Sequence, residues 1–236
     1  MMPISSRQKW HNYIFTISLF GVCVGLPFNK IVLSVSGMLL ALNWIIEGRF
    51  KDKYFVIKQQ KVGLLLSVLF FFLVAALLYS DNVSYGLDDL RIKLPLLLFP
   101  VVILSSPALE KRIYLYLLLC FVLAVFIVTA VNYGVFVWKN DALLDAREMS
   151  LFGSHIRLSL LVSFALFTTF YLIWDAVLLR KYFEKSTKTI KLILFVMVLW
   201  FLFYTQKAEV LTGYFTVFFC TLITFFWIFV NHWKRK

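Results

Sequence analysis

Eight apolar runs follow one another along the chain, at about 13–28, 31–46, 62–79, 94–106, 113–138, 156–179, 190–205 and 210–230. The linkers between them are short, polar, or punctuated by Gly, Pro and Asn, as at Leu26-Pro27-Phe28-Asn29. About 20 mostly apolar residues cross the hydrocarbon core of a bilayer as a helix. Backbone in lipid must satisfy its own polar groups, which leaves helices and closed barrels as the spanning structures. The composition agrees: 62% of the 236 residues are hydrophobic and 15% charged, against roughly 45–50% and 25% in soluble domains. A soluble enzyme, a secreted domain and a disordered tail are excluded. The expected fold is all-α, a polytopic transmembrane helix bundle of about eight spans forming a single transmembrane domain over residues 1–236.

The fourth run is short and carries Pro95 and Pro100, with Pro107 beside it. It reads either as a span or as a re-entrant element, and the charge distribution decides between them. Lys and Arg favour the cytoplasmic side of short loops. With eight spans and both termini cytoplasmic, seventeen of the 24 basic residues fall inside: Arg7, Lys9, Arg49, Lys51, Lys53, Lys58, Lys61, Lys111, Arg112, Arg180, Lys181, Lys185, Lys188, Lys191, Lys234, Arg235 and Lys236. Lys30, Arg91, Lys93, Lys139, Arg147, Arg157 and Lys207 remain outside. A re-entrant fourth run would invert the later loops and put ten basic residues outside against four inside. The net charge of +12 is thus a topological signal, and nucleic acid is not an expected partner.

Other readings are bland. Cys23, Cys120 and Cys220 lie far apart within apolar runs, with neither zinc spacing nor a disulfide framework. The N-terminal run lacks a small-residue cleavage site and reads as a retained first helix. Trp10, Trp44, Trp138, Trp174 and Trp233 stand near run ends, where amphipathic rings prefer the interface. The sequence holds no phosphate-binding glycine loop, dinucleotide fingerprint, His-Glu-x-x-His or nucleophile elbow. No metal or other cofactor is expected. A run of intramembrane acids, as a proton relay needs, is also missing.

Chemistry is left to the outer basic residues, which two loops concentrate. In Tyr79–Pro95, Leu87, Leu90 and Leu94 recur at helical spacing with Asp88, Arg91 and Lys93 elsewhere round the wheel. This predicts a short amphipathic helix at the membrane surface. Arg91 and Lys93 there could hold a lipid-linked phosphate; equally, Asp88 or Asp89 could pair with Arg91 while Lys93 snorkels to water. The second loop, Lys139–Arg157, brings His155 and Arg157 to the mouth of the sixth helix. His155 reads as a general base or phosphate ligand, or as a satisfied interfacial histidine. Asp175 has Arg180 close by in sequence, and Lys207 and Glu209 stand together at a short turn; both read as simple ion pairs.

Three stretches resemble the O-antigen ligase and O-antigen polymerase superfamily of bacterial inner-membrane proteins. They are Leu78-Tyr79-Ser80-Asp81 through Gly86-Leu87-Asp88-Asp89-Leu90-Arg91-Ile92-Lys93-Leu94-Pro95 to Pro100, then Phe152-Gly153-Ser154-His155-Ile156-Arg157-Leu158-Ser159-Leu160, and Thr205-Gln206-Lys207-Ala208-Glu209-Val210-Leu211-Thr212-Gly213. The resemblance covers roughly residues 10–230. It implies a multi-pass protein of the bacterial inner membrane that passes a polyprenyl-diphosphate-linked glycan to an acceptor sugar at the outer face. It also implies catalytic roles for His155 and Arg157, and diphosphate binding by Arg91, Lys93 and Lys207, with lipid as the other partner. The chain departs from the family by offering Gln206 and Lys207 where an arginine is usual, and lysine lacks the guanidinium fork. It also ends at Asn231–Lys236, just past the eighth run, which reads as the N-terminal part of such an enzyme or a short relative. A non-catalytic membrane subunit, a lipid-glycan carrier or a transporter is the alternative expectation.

Overall fold

The computed structural model describes residues 6–59, 61–139, 149–183 and 186–233. Arg147, Lys185, Lys234, Arg235 and Lys236, used above to read the topology, lie outside the described residues, as does the side chain of Trp233. Among the described residues every regular element is helical. The chain divides into two compact units, one of Met1–Val22 with Ile31–Glu110, the other of Cys23–Lys30 with Lys111–Lys236.

The first unit takes most of α1 (Ser6–Phe28) and α2 (Lys30–Glu47), then α3 (Phe50–Gln59), α4 (Lys61–Ala76), α5 (Val83–Lys93) and α6 (Pro95–Ser105). The α1–α2 linker is shorter than the sequence suggests, since only Asn29 is non-helical. Pro27 sits in the last turn of α1 and removes a donor where the helix is ending anyway. The two helices run antiparallel, as cross-links between their far ends show: the Arg7 guanidinium donates to the Ile46 carbonyl at 3.0 Å, and the Gln8 amide to Glu47 Oε1 at 2.8 Å. Buried His11 and Asn43 are tied twice, by a 2.8 Å contact of Nδ1 with Oδ1 and by Asn43 Nδ2 donating to the His11 carbonyl at 3.0 Å.

Nearer the turn the helices approach closely at Gly21. A Cβ there would collide with the Ser36 hydroxyl and stand 3.1 Å from Ser36 Cβ. Small residues at such crossings let helices meet where no hydrophobic force drives them together in lipid. Gly21→Val should therefore lower stability by about 1–3 kcal/mol, the usual cost of overpacking. Gly134→Ala, at a site with nothing within 4 Å of the new methyl, should be neutral or slightly stabilising. Thermal unfolding of the two variants in detergent checks the contrast.

After α2 the chain reverses through Gly48 (φ 71°) and Arg49 (φ 57°), both left-handed. This turn folds α3 back so that Lys53 is buried, its Nζ 2.8 Å from Glu47 Oε2 and 2.7 Å from the Trp44 carbonyl. The Trp44 indole N–H in turn donates to Ser105 Oγ at the end of α6, at 2.7 Å. Further on, α4 passes through a 3-10 turn at Leu77–Tyr79 towards α5, a helix within the Tyr79–Pro95 stretch where a short one is expected. The Asn82 side chain caps α5 by accepting from the Tyr85 N–H at 3.0 Å. Within this unit α4 packs on α6.

The second unit holds α7 (Lys111–Lys139), α8 (His155–Trp174), α9 (Ala176–Tyr182), α10 (Thr187–Ala208) and α11 (Leu211–Trp233). On α7 the stripe Phe121, Val122, Val125, Val128 and Thr129 is buried. It follows the i, i+3, i+4 rhythm of one helix face. The matching face of α8 is built of small residues, Ser159, Ser163, Ala165 and Thr169, with Leu158, Val162 and Leu166. Its opposite face carries exposed Phe164 and Phe170. Small residues inside and large apolar ones outside is the arrangement that suits lipid. Most buried hydroxyls bond the carbonyl four residues back, as Ser163, Thr168 and Thr169 do on α8. Two reach across helices: Thr129 accepts from the Trp200 indole at 2.9 Å, and Ser159 shares a 3.1 Å bond with Thr212.

Among the described residues five helices, α1, α2, α7, α8 and α10, are long and apolar enough to cross a membrane, and the chain is accordingly a multi-helix membrane protein. α11 runs 23 residues, with a shorter apolar part over Leu211–Phe226. α4 and α6, at 16 and 11 residues, are shorter than these six helices. At 1.5 Å per residue α6 covers about 16 Å, roughly half of a hydrocarbon core.

Candidate functional site

The strongest concentration of polar chemistry in the second unit lies at the N-terminal end of α8. Ser154 is extended there (φ −65°, ψ 133°) and its side chain caps nothing, so the first-turn N–H groups of α8 keep no side-chain partner. Its own carbonyl starts the helix by accepting from the Leu158 N–H at 3.0 Å. The preceding loop is held in place by three contacts. Ser150 Oγ donates to the Gly153 carbonyl at 2.8 Å, the Leu151 N–H to Asn132 Oδ1 at 3.4 Å, and Phe152 meets Phe28 edge-on with ring centroids 5.8 Å apart.

Arg157 stands one turn into α8, half-buried, and donates to the Leu26 carbonyl at 3.2 Å. That carbonyl lies in the last turn of α1, where helix geometry leaves acceptors without an intrahelical donor. One of the five guanidinium donors is thereby used to fasten the end of α1. Arg157 also lines a shallow, open cleft whose wall includes Pro27, Lys30, Ser150, Gly153 and Ser154. Lys30 opens α2, where the positive end of the helix dipole opposes an ammonium. Neither Lys30 nor Arg157 has a carboxylate partner among the described residues. Two cations, two hydroxyls and a helix N-terminus thus line one cleft, the types of group that bind phosphate in proteins generally.

His155 lines a small neighbouring cleft with Met149, Ser159, Tyr204 and Val210. Ser150 and Leu158 border both clefts. Sequence reasoning puts His155 and Arg157 together, and they are two residues apart on α8, yet each faces its own cavity. Tyr204 is buried, as is Asn132, whose Nδ2 has no hydrogen-bond partner among the described residues. Neither residue carries any local sequence signal, because both sit within apolar runs.

The remaining expected site residues fall elsewhere. Lys207 is exposed on the last turn of α10 and lines neither cleft. Its anticipated pairing with Glu209 does not form, because Glu209 takes the left-handed conformation (φ 50°) that terminates α10. Arg91 and Lys93 belong to the first unit, both exposed on α5. There Lys93, not Arg91, takes the carboxylate, with Nζ 2.6 Å from Asp89 Oδ2. Helical spacing favours Asp89 with Lys93 (i, i+4) over Asp89 with Arg91 (i, i+2), and the i, i+3 pair of Asp88 with Arg91 forms no ion pair among the described residues. Asp175 accepts from the Tyr171 hydroxyl at 3.3 Å, at the break between α8 and α9.

Lys30 is the site residue sequence reasoning passes over. It is one of the seven basic residues assigned outside, but it stands alone beside a turn, and its partner is 127 positions further on. No known family model, curated protein or solved structure matches the chain.

Proposed function

We propose that the protein is a multi-pass protein of the bacterial inner membrane that handles or transfers a polyprenyl-diphosphate-linked glycan at the outer face, in the manner of the O-antigen ligases its motifs resemble. One observation carries this reading: Lys30 and Arg157 border the same cleft at the open end of α8. A diphosphate seated there meets an ammonium, a guanidinium and helix N–H groups. In transfer, the acceptor hydroxyl attacks the anomeric carbon as the bond from that carbon to the diphosphate oxygen breaks. Charge developing on the leaving diphosphate is stabilised by Arg157 and Lys30. The acceptor proton passes to His155 in the adjoining cleft, the general base of the reaction. Arg91, Lys93 and Lys207 lie on the same side of the membrane in this topology and raise the local concentration of the anionic substrate.

The topology that belongs to this reading has eight spans and cytoplasmic termini. In it the short α6 is the fourth crossing, and Ser106 closes its C-terminal end by donating to the Val102 carbonyl at 2.6 Å.

A second reading, a carrier that binds lipid-linked glycan without turning it over, is favoured by His155 and Arg157 lining different cavities. Deleting the gene and profiling surface polysaccharide tests the proposal, and an unchanged profile rejects it. Complementation separates the two readings. The transferase requires both Arg157 and His155, so Arg157→Ala and His155→Ala both fail to restore glycan. The carrier requires Arg157 alone.

A further inference from the structure

We infer that α3 is a docking face for anionic phospholipid, distinct from the cleft at α8 and independent of what that cleft binds. Lys51, Tyr54, Phe55 and Lys58 recur at i, i+3, i+4 and i+7, so they share one side of the helix. All four are exposed, Tyr54 at 68% and Phe55 at 64%. The opposite side is occupied, with Lys53 buried and Ile57 half-buried. The roll of α3 about its axis is fixed by contacts on that inner side. Lys53 Nζ is gripped by Glu47 Oε2 and the Trp44 carbonyl, and it lies 4.7 Å from the Trp44 ring centroid.

Position along the membrane normal follows from the turn. α2 is long and apolar enough to cross, and it ends at Glu47. The left-handed pair Gly48 and Arg49 then starts α3 within three residues of that end. A ten-residue helix with four charged side chains cannot enter the hydrocarbon core, so it lies at headgroup level. The charge there is one-sided. Asp52 is the one acid of α3, and Arg49 engages it at 3.0 Å, which leaves Lys51 and Lys58 without a carboxylate among the described residues. Two free ammonium groups flanking two exposed aromatic rings match the phosphate and the acyl boundary of an anionic headgroup. A zwitterionic lipid offers the same acyl boundary but no net charge for the lysines.

The test uses the full chain in nanodiscs of equal parts phosphatidylcholine and phosphatidylglycerol, followed by extraction and mass-spectrometric counting of the lipid retained. Wild type should retain phosphatidylglycerol in clear excess over phosphatidylcholine. Lys51→Gln with Lys58→Gln should cut that preference by roughly 10- to 30-fold, each juxtamembrane basic residue contributing about one factor of five. Tyr54→Ser with Phe55→Ser, which keeps every charge, should also reduce retention. All four side chains are exposed, so both variants should unfold at the wild-type temperature. Equal retention of the two lipids by wild type, or an undiminished preference in the lysine variant, overturns the inference. A loss in the lysine variant with none in the aromatic variant also overturns it, because diffuse attraction would then suffice.

Discussion

Arg157→Ala should weaken binding of a polyprenyl diphosphate by about 100-fold or more, measured by titrating the detergent-solubilised chain with farnesyl diphosphate as a short-chain probe. The magnitude follows from the donors lost. A hydrogen bond to a charged group contributes about 1.5–3 kcal/mol, and a guanidinium presents two such bonds to one phosphate in parallel. Arg157→Lys keeps the charge without the fork and should recover only part of the affinity. Lys30→Ala removes a point charge from the same cleft and should cost less than Arg157→Ala. Arg157→Ala also loses the 3.2 Å bond to the Leu26 carbonyl, so a stability loss of about 1 kcal/mol accompanies it. A thermal melt recorded beside the titration separates the two effects. An Arg157→Ala protein that binds the probe as tightly as wild type removes the anion site, and the functional proposal with it.

Lys53→Met should be the most destabilising single change in the first unit, by about 3–5 kcal/mol, the range found when one partner of a buried ion pair is removed. Lys53 and Glu47 have side chains only 5% and 8% exposed, so the stranded carboxylate would find little water. Gln8 would remain as a donor to Glu47, at 2.8 Å, which moderates the loss. The double variant Glu47→Gln with Lys53→Met should regain much of the stability, because the uncompensated charge is then gone. Unfolding by SDS titration measures both. A Lys53→Met protein as stable as wild type shows that the pair is solvated after all, and that α3 is not held by it.

Reading the sequence finds the helices because long apolar runs leave few other structures open, and α5 because Leu87, Leu90 and Leu94 keep a helical rhythm. It does not separate Lys53 from Lys51 and Lys58. All three are basic residues after the second run, and topology counting treats them alike. Only the left-handed turn at Gly48 and Arg49, which folds α3 onto α2, buries one and exposes two. A cue was present in their spacing, since Lys51 and Lys58 fall on one side of a helix and Lys53 on the other. The cleft was less legible. Arg157 stood out as a cation at the head of an apolar run, but its meeting with residues 26–30 joins segments far apart in the chain. Periodicity reports which side of a helix is buried and does not name what covers it. The proline-bearing fourth run yields a helix of 11 residues, as its interruptions suggested.

The single-residue link at Asn29 sets how α1 and α2 can enter a membrane during synthesis. Two helices joined so tightly must go in as one hairpin, with Ser6 and Glu47 left on the same side. Gln8 and His11 take hydrogen bonds from or to partners 39 and 32 residues later. Those partners are made only after α1 has emerged from the ribosome, so the cross-links that close the open end of the hairpin form once residue 47 has been made.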